Sequence, residues 1–256
     1  MRVDLLGMVI VVTGAASGIG AAVARLAASS GAAGLVLTDR NANGMTELAA
    51  ALDSETLAVT ADLSDPDAPS RIIGAAQDRF GRIDGLVNAA GLTDRASFAG
   101  ATPEIWERLF AVNARAPFFL MQGALADMTA RGTGGAIVNI LSVNAHCGTP
   151  ELSVYAATKG ALLTLTKNAA NTHAGNGIRV NGINLGWVLT ETEDRMQSVT
   201  LGRGPGWAAE EAARLPLGRL LGPDEAARLA VYLLSPASSP MTGCAIDLDQ
   251  TILVAP

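Results

Sequence analysis

The sequence predicts a single α/β domain built on a doubly wound parallel sheet of about seven strands, with helices on both faces. Three observations carry that reading. Short apolar runs recur with helical stretches between them, the runs are continuous rather than alternating, and glycine occurs 28 times in 256 residues. Continuous apolar strands are covered on both faces, which is the condition of a parallel sheet with right-handed crossovers. Frequent glycine suits the tight turns that join such units. A chain of 256 residues can bury a full core, and single α/β domains often run to about 250 residues, so 1–256 reads as one domain.

VIVVTG (9–14) opens the sheet, followed by GLVLTD (34–39), LAVTAD (57–62), DGLVNAAG (84–91), AIVNILS (136–142), RVNGINLG (179–186) and CAIDLD (244–249). All but the last are followed by a helical candidate, the longest at about 103–130 and 154–171. The apolar stretch LLGMVIVV (5–12) follows Asp4 and leads straight into Thr13-Gly14. It lacks the flanks of a signal peptide and the length of a membrane span, so it reads as a buried strand. The rhythm breaks at about 190–216, where ETEDRMQSVTLGRGPGW mixes charge with glycine and proline. This segment is a candidate mobile flap over a substrate pocket.

Eighteen basic residues stand against 24 acidic ones, a net charge of −6. Nucleic acid is therefore not an expected partner, since a phosphate backbone demands basic surface. With 49% hydrophobic and 16% charged residues, the chain has the apolar content to pack rather than stay disordered. Cys147 and Cys244 are too few for a disulfide framework and form no metal-ligand spacing with His146 or His173, so no metal is expected and a reducing cytoplasm is the expected location.

The first chemical motif lies where the first strand turns into the first helix, Thr13-Gly14-Ala15-Ala16-Ser17-Gly18-Ile19-Gly20. Glycines there let the backbone approach a pyrophosphate, and the N–H groups of the following helix stabilise its charge. A purely structural turn would explain the glycines equally well. Asp39 shifts that balance. It ends the second strand, nineteen positions after Gly20, where a carboxylate accepts hydrogen bonds from the adenosine ribose and repels a 2′-phosphate. The turn offers Ser17 and no basic residue, although Arg40 follows Asp39. NAD is favoured over NADP on these grounds, in a Rossmann-type domain.

The second motif is Tyr155-Ala156-Ala157-Thr158-Lys159 on a helical candidate. Residues i and i+4 share a helix face, so the Lys159 ammonium can approach the Tyr155 phenol. A free phenol titrates near 10, and a neighbouring cation lowers that value toward the range of a useful base. Ser142 closes the fifth strand at its carboxyl end, where open α/β sheets place their ligands, and can donate to a substrate oxygen. Taken singly, each has an ordinary alternative: a surface pair for Tyr155 and Lys159, a loop hydroxyl for Ser142.

TGAASGIG, the NAAG segment at 88–91, Asn113, Ser142 and YAATK together resemble the short-chain dehydrogenase/reductase family in its compact form of about 250 residues. The resemblance spans 13–249 and rests on the order and spacing of the motifs jointly. It implies that Tyr155 exchanges a proton with the alcohol or ketone oxygen, that Lys159 binds the nicotinamide ribose and lowers the tyrosine pKa, and that Ser142 polarises the substrate. Asn113 matches the asparagine that holds a water linking the lysine to solvent. Gly14, Ser17, Gly18, Ile19 and Gly20 match the pyrophosphate turn, Asp62 and Leu63 the pair that contacts adenine, Asn88, Ala89 and Ala90 a segment beside the cofactor, and Val188 and Thr190 the stretch that binds the carboxamide.

Two departures stand out. Leu185-Gly186-Trp187 replaces the usual Pro-Gly, and Asp249-Gln250-Thr251 replaces Asp-Gly-Gly near the C-terminus. Pocket candidates are Thr93, Asp94 and Arg95, then Asn144, His146 and Cys147, then Trp187, Glu191 and Glu193. Their polarity points to a sugar or polyol rather than a long acyl chain. The readings kept beside the dehydrogenase are an NADP-dependent 3-oxoacyl-carrier reductase, against which Asp39 and the acidic balance argue, and a dinucleotide-sensing protein without catalysis. A sugar-nucleotide epimerase would need a larger C-terminal substrate domain. The resemblance also implies a homotetramer, or a dimer, formed through the two long helices.

Overall fold

The computed structural model describes residues 3–146 and 148–251; Cys147, one of the pocket candidates, lies outside them. Seven parallel strands form one sheet in the order β3-β2-β1-β4-β5-β6-β7: β1 Val9–Thr13, β2 Gly34–Asp39, β3 Glu55–Thr60, β4 Gly85–Asn88, β5 Gly135–Ile140, β6 Ile178–Leu185 and β7 Ala245–Leu248. The order reverses between β1 and β4, the switch point at which a doubly wound sheet opens a crevice at its carboxyl edge.

Alternate residues of each apolar run enter opposite layers. Ile10, Val12, Leu35, Leu37 and Val138 pack with α1 (Gly18–Ser29), α2 (Ala42–Ala50) and α9 (Pro223–Leu234), whereas Val11, Val36 and Ile137 pack with α3 (Ala68–Phe80), α5 (Ala116–Arg131) and α6 (Ser153–His173). This two-sided burial explains why the strands read as continuous apolar runs instead of alternating ones. The third strand departs from the expected 57–62. It begins at Glu55 because its register pairs Glu55 with Gly34, and it ends at Thr60. As the edge strand it is only half-covered, so its apolar signal is the weakest of the set.

The helix expected at 103–130 is interrupted. α4 (Pro103–Phe110) passes through a π-helical turn, Ala111–Arg115, into α5. Such a turn inserts one residue into the helical ladder and re-aims the side chains within it, and Asn113 lies at its centre. The flap is not irregular chain either. It contains α7 (Glu191–Arg195), a second π turn at Met196–Thr200 and α8 (Trp207–Ala212). Trp207 is fully buried and its Nε1 donates to Asp194 Oδ1 at 2.8 Å, so this tryptophan anchors the flap to itself.

Both sequence departures have structural partners. A Cβ on Gly186 would collide with the Asp249 carboxylate, so glycine is required there even without a preceding proline. Gln250 donates through Nε2 to the Arg219 carbonyl at 2.6 Å and accepts from Leu217 N at 3.0 Å. It thereby ties the end of the sheet to the segment that follows α8.

Candidate active site

The carboxyl ends of the strands bring the candidate residues to one edge. Thr13 ends β1, and its Oγ1 accepts from both Ala89 N and Ala90 N at 3.0 Å. One hydroxyl thus stitches the NAAG turn to the glycine-rich turn. Thr13 belongs to the first motif, but its sequence signal was only its place before Gly14; this clamp joins residues 76 and 77 positions apart.

The two turns approach so closely that side chains are shut out. A Cβ on Gly14, whose φ is +66°, would lie 2.9 Å from Ala90 N and Cα, and one on Gly18, at φ +53°, would lie 3.2 Å from Thr190 Cγ2. Gly20 is tighter still, because its Cβ would overlap the Gly14 carbonyl and stand 2.9 Å from the Thr13 oxygen. Gly20→Ala is therefore expected to lower stability by about 1–3 kcal/mol, as overpacking against fixed backbone does, and to weaken dinucleotide binding. Urea unfolding with a cofactor titration checks it, and a variant matching wild type in both would contradict the crowding.

Ser17 caps α1, yet its side chain makes no capping hydrogen bond, which leaves the hydroxyl free at the positive end of a twelve-residue helix. Across the turn, Asp39 Oδ2 accepts from Ala16 N at 3.2 Å and Oδ1 from Asn41 N at 2.9 Å. A carboxylate is thereby fixed beside the glycine turn. Asp62 accepts from Ser64 N at 2.8 Å, and this backbone bond holds its carboxyl below the usual range. Leu63 is buried in the core layer of α3, α5 and α6. Asn88 turns away from the crevice, with its Nδ2 donating to Asn139 Oδ1 at 2.8 Å in a buried chain that continues to Thr166. The glycine turn at the start of α1, a serine hydroxyl without a capping bond and an acid at the end of β2 fit the phosphates and ribose of a dinucleotide.

Tyr155, Lys159, Ser142 and Asn113 converge below this crevice, all nearly or fully buried. The Lys159 Nζ donates to the Ile140 carbonyl at 2.7 Å and lies 5.8 Å from the centre of the Tyr155 ring. The electrostatics differ from the sequence expectation. Burial pushes the Tyr155 phenol up to about 12; the Ser142 hydroxyl that bonds it counters this, the Glu193 charge adds to it and the Arg95 charge opposes it. Burial likewise brings the Lys159 ammonium down to about 8.

Asn113 is a clamp. Its Oδ1 accepts from Leu92 N at 2.8 Å, and its Nδ2 donates to the Leu92 carbonyl at 2.9 Å and to Thr158 Oγ1 at 3.1 Å. A Cβ on Gly91 would lie 3.6 Å from both Asn113 Oδ1 and Lys159 Nζ, so this glycine keeps the space between the two clear.

The pocket candidates divide. Ser142 Oγ accepts from Asn144 N at 3.2 Å, which shapes the turn after β5. His146 Nε2 meets Asn184 Nδ2 at 3.0 Å and Asp247 Oδ1 at 3.5 Å, engaging the ends of β6 and β7. Glu191 is exposed in the first turn of α7, and it is Glu193 that faces inward, accepting from Trp187 Nε1 at 3.0 Å and Gln197 Nε2 at 2.8 Å. Val188 bridges to Leu221 and Thr190 caps α7 through Glu193 N, so the segment after β6 is pinned on both sides. Arg95 lies against Glu193 with Nη2 to Oε1 at 3.5 Å.

The sheet, its switch point and this crevice define a dinucleotide-binding oxidoreductase. A family model described as enoyl-(acyl carrier protein) reductase matches residues 14–250. The chain is 35% identical over 245 residues to 2-(S)-hydroxypropyl-CoM dehydrogenase 3 of Xanthobacter autotrophicus, covering 94% of each chain. It is 34% identical over 245 residues to galactitol 2-dehydrogenase of Agrobacterium fabrum, covering 94% of this chain and 95% of that one. The L-sorbose reductase of Gluconobacter frateurii, solved with NADPH and L-sorbose, aligns over 100% of both chains with a TM-score of 0.93 and 30% identity. The chain therefore belongs to the short-chain dehydrogenase/reductase family, whose members bind a nicotinamide dinucleotide. Among the described residues, no helix is long and apolar enough to cross a membrane.

Proposed function

We propose that the protein is an NAD-dependent dehydrogenase interconverting a secondary alcohol and its ketone, on a small polar substrate such as a sugar or polyol. The observation that carries this reading is the convergence of Ser142, Tyr155 and Lys159 in one buried site at the carboxyl end of β5, beside the glycine-rich turn. Nicotinamide dinucleotide, when bound, supplies the hydride acceptor or donor. Gly14, Ser17, Gly18, Ile19 and Gly20 hold its pyrophosphate, Asp39 its adenosine ribose, Asp62 and Leu63 its adenine, and Val188 and Thr190 its carboxamide. The turn Asn88, Ala89 and Ala90, held by Thr13, supports it from the sheet.

Ser142 orients the substrate oxygen toward Tyr155, which gives or takes the proton at that oxygen. Lys159 binds the nicotinamide ribose and carries charge behind the phenol. The space kept open by Gly91 between Lys159 Nζ and Asn113 Oδ1 suits a water with polar partners on both sides, through which the proton reaches solvent. Asn144, His146 and Trp187 border the substrate, with Glu191 at the outer rim, and the segment 190–216 closes over it as a flap. The apolar groove between Phe110, Phe118, Phe119, Ala161 and Leu165 on α4, α5 and α6 supports a homotetramer assembled through these helices, and the low cysteine count supports a reducing cytoplasm as its location.

The cofactor preference rests on Asp39, whose charge opposes a 2′-phosphate. The relative solved with NADPH and the acyl-carrier description of the matching family favour a second reading, an NADP-dependent reductase of carrier-bound acyl groups. An absorbance assay of polyols, sugars, simple secondary alcohols and 3-oxoacyl thioesters against both cofactors separates the two. Turnover of a polyol with NAD is expected, and Asp39→Ser is expected to raise the NADP-to-NAD ratio of kcat/KM by about tenfold or more, one removed charge repulsion of roughly 1.4 kcal/mol. Preference of the wild type for NADPH with an acyl thioester would replace the dehydrogenase reading.

A further inference from the structure

Arg95 occupies a position that the proton-transfer scheme does not use. It follows the NAAG turn, and the chain around it is pinned to the start of α6. Ala96 N donates to the Glu151 carbonyl at 2.8 Å, and Val154 N to the Ala96 carbonyl at 3.3 Å. Arg95 is thus fixed beside the residue that immediately precedes Tyr155. Its side chain is 23% exposed, with Nη1 donating to the Thr93 carbonyl at 2.8 Å.

Its one anionic neighbour by ion-pair geometry among the described residues is Glu193, and the pairing is loose. Nη2 stands 3.5 Å from Oε1, an oxygen already taken by Trp187 and Gln197 at 3.0 and 2.8 Å. Other arginine–glutamate pairs behave differently. Arg203 meets Glu211 at 2.6 Å, and Arg219 grips Glu225 through both nitrogens at 2.7 and 2.9 Å. A guanidinium that is half-buried, backed by a carbonyl and only grazed by a carboxylate keeps its fork available for a better acceptor. Glu193 is carried on α7 within the flap.

We propose that Arg95 recognises a carboxylate on the substrate, and that Glu193 holds its place until the substrate anion displaces it. The substrate class is then a hydroxy acid whose carbinol reaches Tyr155 while its carboxylate reaches Arg95. This rests on the reading that Tyr155 marks the reacting end. It narrows the polar substrate of that reading to an anionic one and makes departure of the Glu193 side chain part of binding.

The test uses matched pairs, D-gluconate, D-galactonate and cis- and trans-4-hydroxycyclohexanecarboxylate, each beside its primary amide. Turnover with NAD and the shift in Tm in the presence of NAD are both read, for wild type, Arg95→Gln, Arg95→Lys and Glu193→Gln. At least one acid is expected to exceed its amide by tenfold or more in kcat/KM, the scale of a charge-assisted pair, mainly through KM. Arg95→Gln is expected to shrink that ratio at least tenfold, Arg95→Lys to restore part of it, and Glu193→Gln to lower KM for the acid more than for the amide.

Acids and amides reacting alike, or an equal loss of both in Arg95→Gln, would reduce Arg95 to a structural prop and overturn the proposal. If nothing is oxidised, a rise in Tm given by an acid, absent with its amide and lost in Arg95→Gln sustains the proposal while the dehydrogenase reading fails for these compounds. Absence of such a difference overturns it.

Discussion

Replacing Tyr155 with phenylalanine is expected to lower kcat by at least about 10²-fold, the usual contribution of a positioned acid or base, while dinucleotide affinity stays close to wild type. The ring fills a buried site, so its removal would confuse packing with chemistry. Phenylalanine keeps the ring and deletes only the hydroxyl. The protein as it stands holds the phenol protonated, since burial raises it to about 12. That state suits donation to a ketone. Alcohol oxidation needs the opposite state, so its rate is expected to climb as pH rises through the alkaline range, whereas ketone reduction favours neutral pH. Steady-state kinetics in both directions across pH, with cofactor affinity from fluorescence titration, check both parts. Near-normal turnover in the variant would remove Tyr155 from the proton-transfer step.

Lys159→Met is expected to show two effects of different origin. Activity falls by about 10²-fold or more as the ammonium behind the phenol is lost, and the dependence of stability on pH changes shape. In the native chain burial lowers this lysine from 10.5 to about 8. Between those values the unfolded chain holds a proton that the folded one has released, so the free energy of unfolding rises with pH across that window. At about 1.4 kcal/mol per unit the full rise is about 3 kcal/mol. Tyr155 acts in the opposite sense and later. With its folded value raised to about 12, it draws stability down only above its ordinary value near 10. Urea unfolding at intervals between pH 7.5 and 10 should show wild type gaining on Lys159→Met by roughly 2–3 kcal/mol. Parallel profiles would mean that Lys159 is not held in a desolvated site.

The sheet and its motifs were largely legible because they depend on local signals. An apolar run covered on two faces shows itself without reference to partners, and a glycine-rich turn after such a run marks its own crevice. The blurred features depend on contacts distant in sequence. The third strand slid by two residues at its start because register with β2, not its own hydropathy, sets where it begins. The π turn around Asn113 left no mark in a helical stretch, since the bulge is stabilised by Leu92 and Thr158, which lie 21 and 45 positions away. In the flap, glycine and proline concealed two short helices held by indole hydrogen bonds to Glu193 and Asp194.

The sequence by itself determined the doubly wound architecture, the family, and the list of residues from which a site could be built, because periodicity and motif spacing are properties of the chain. Only the tertiary structure decided how those residues act on one another. It turned Asn88 into the core, engaged His146 with Asn184 and Asp247, set Glu193 rather than Glu191 against Arg95, and reversed the expected direction of the Tyr155 shift. The reason is that desolvation and charge pairing are fixed by which groups share a dry space, and such groups come from strands and helices that the chain brings together only on folding.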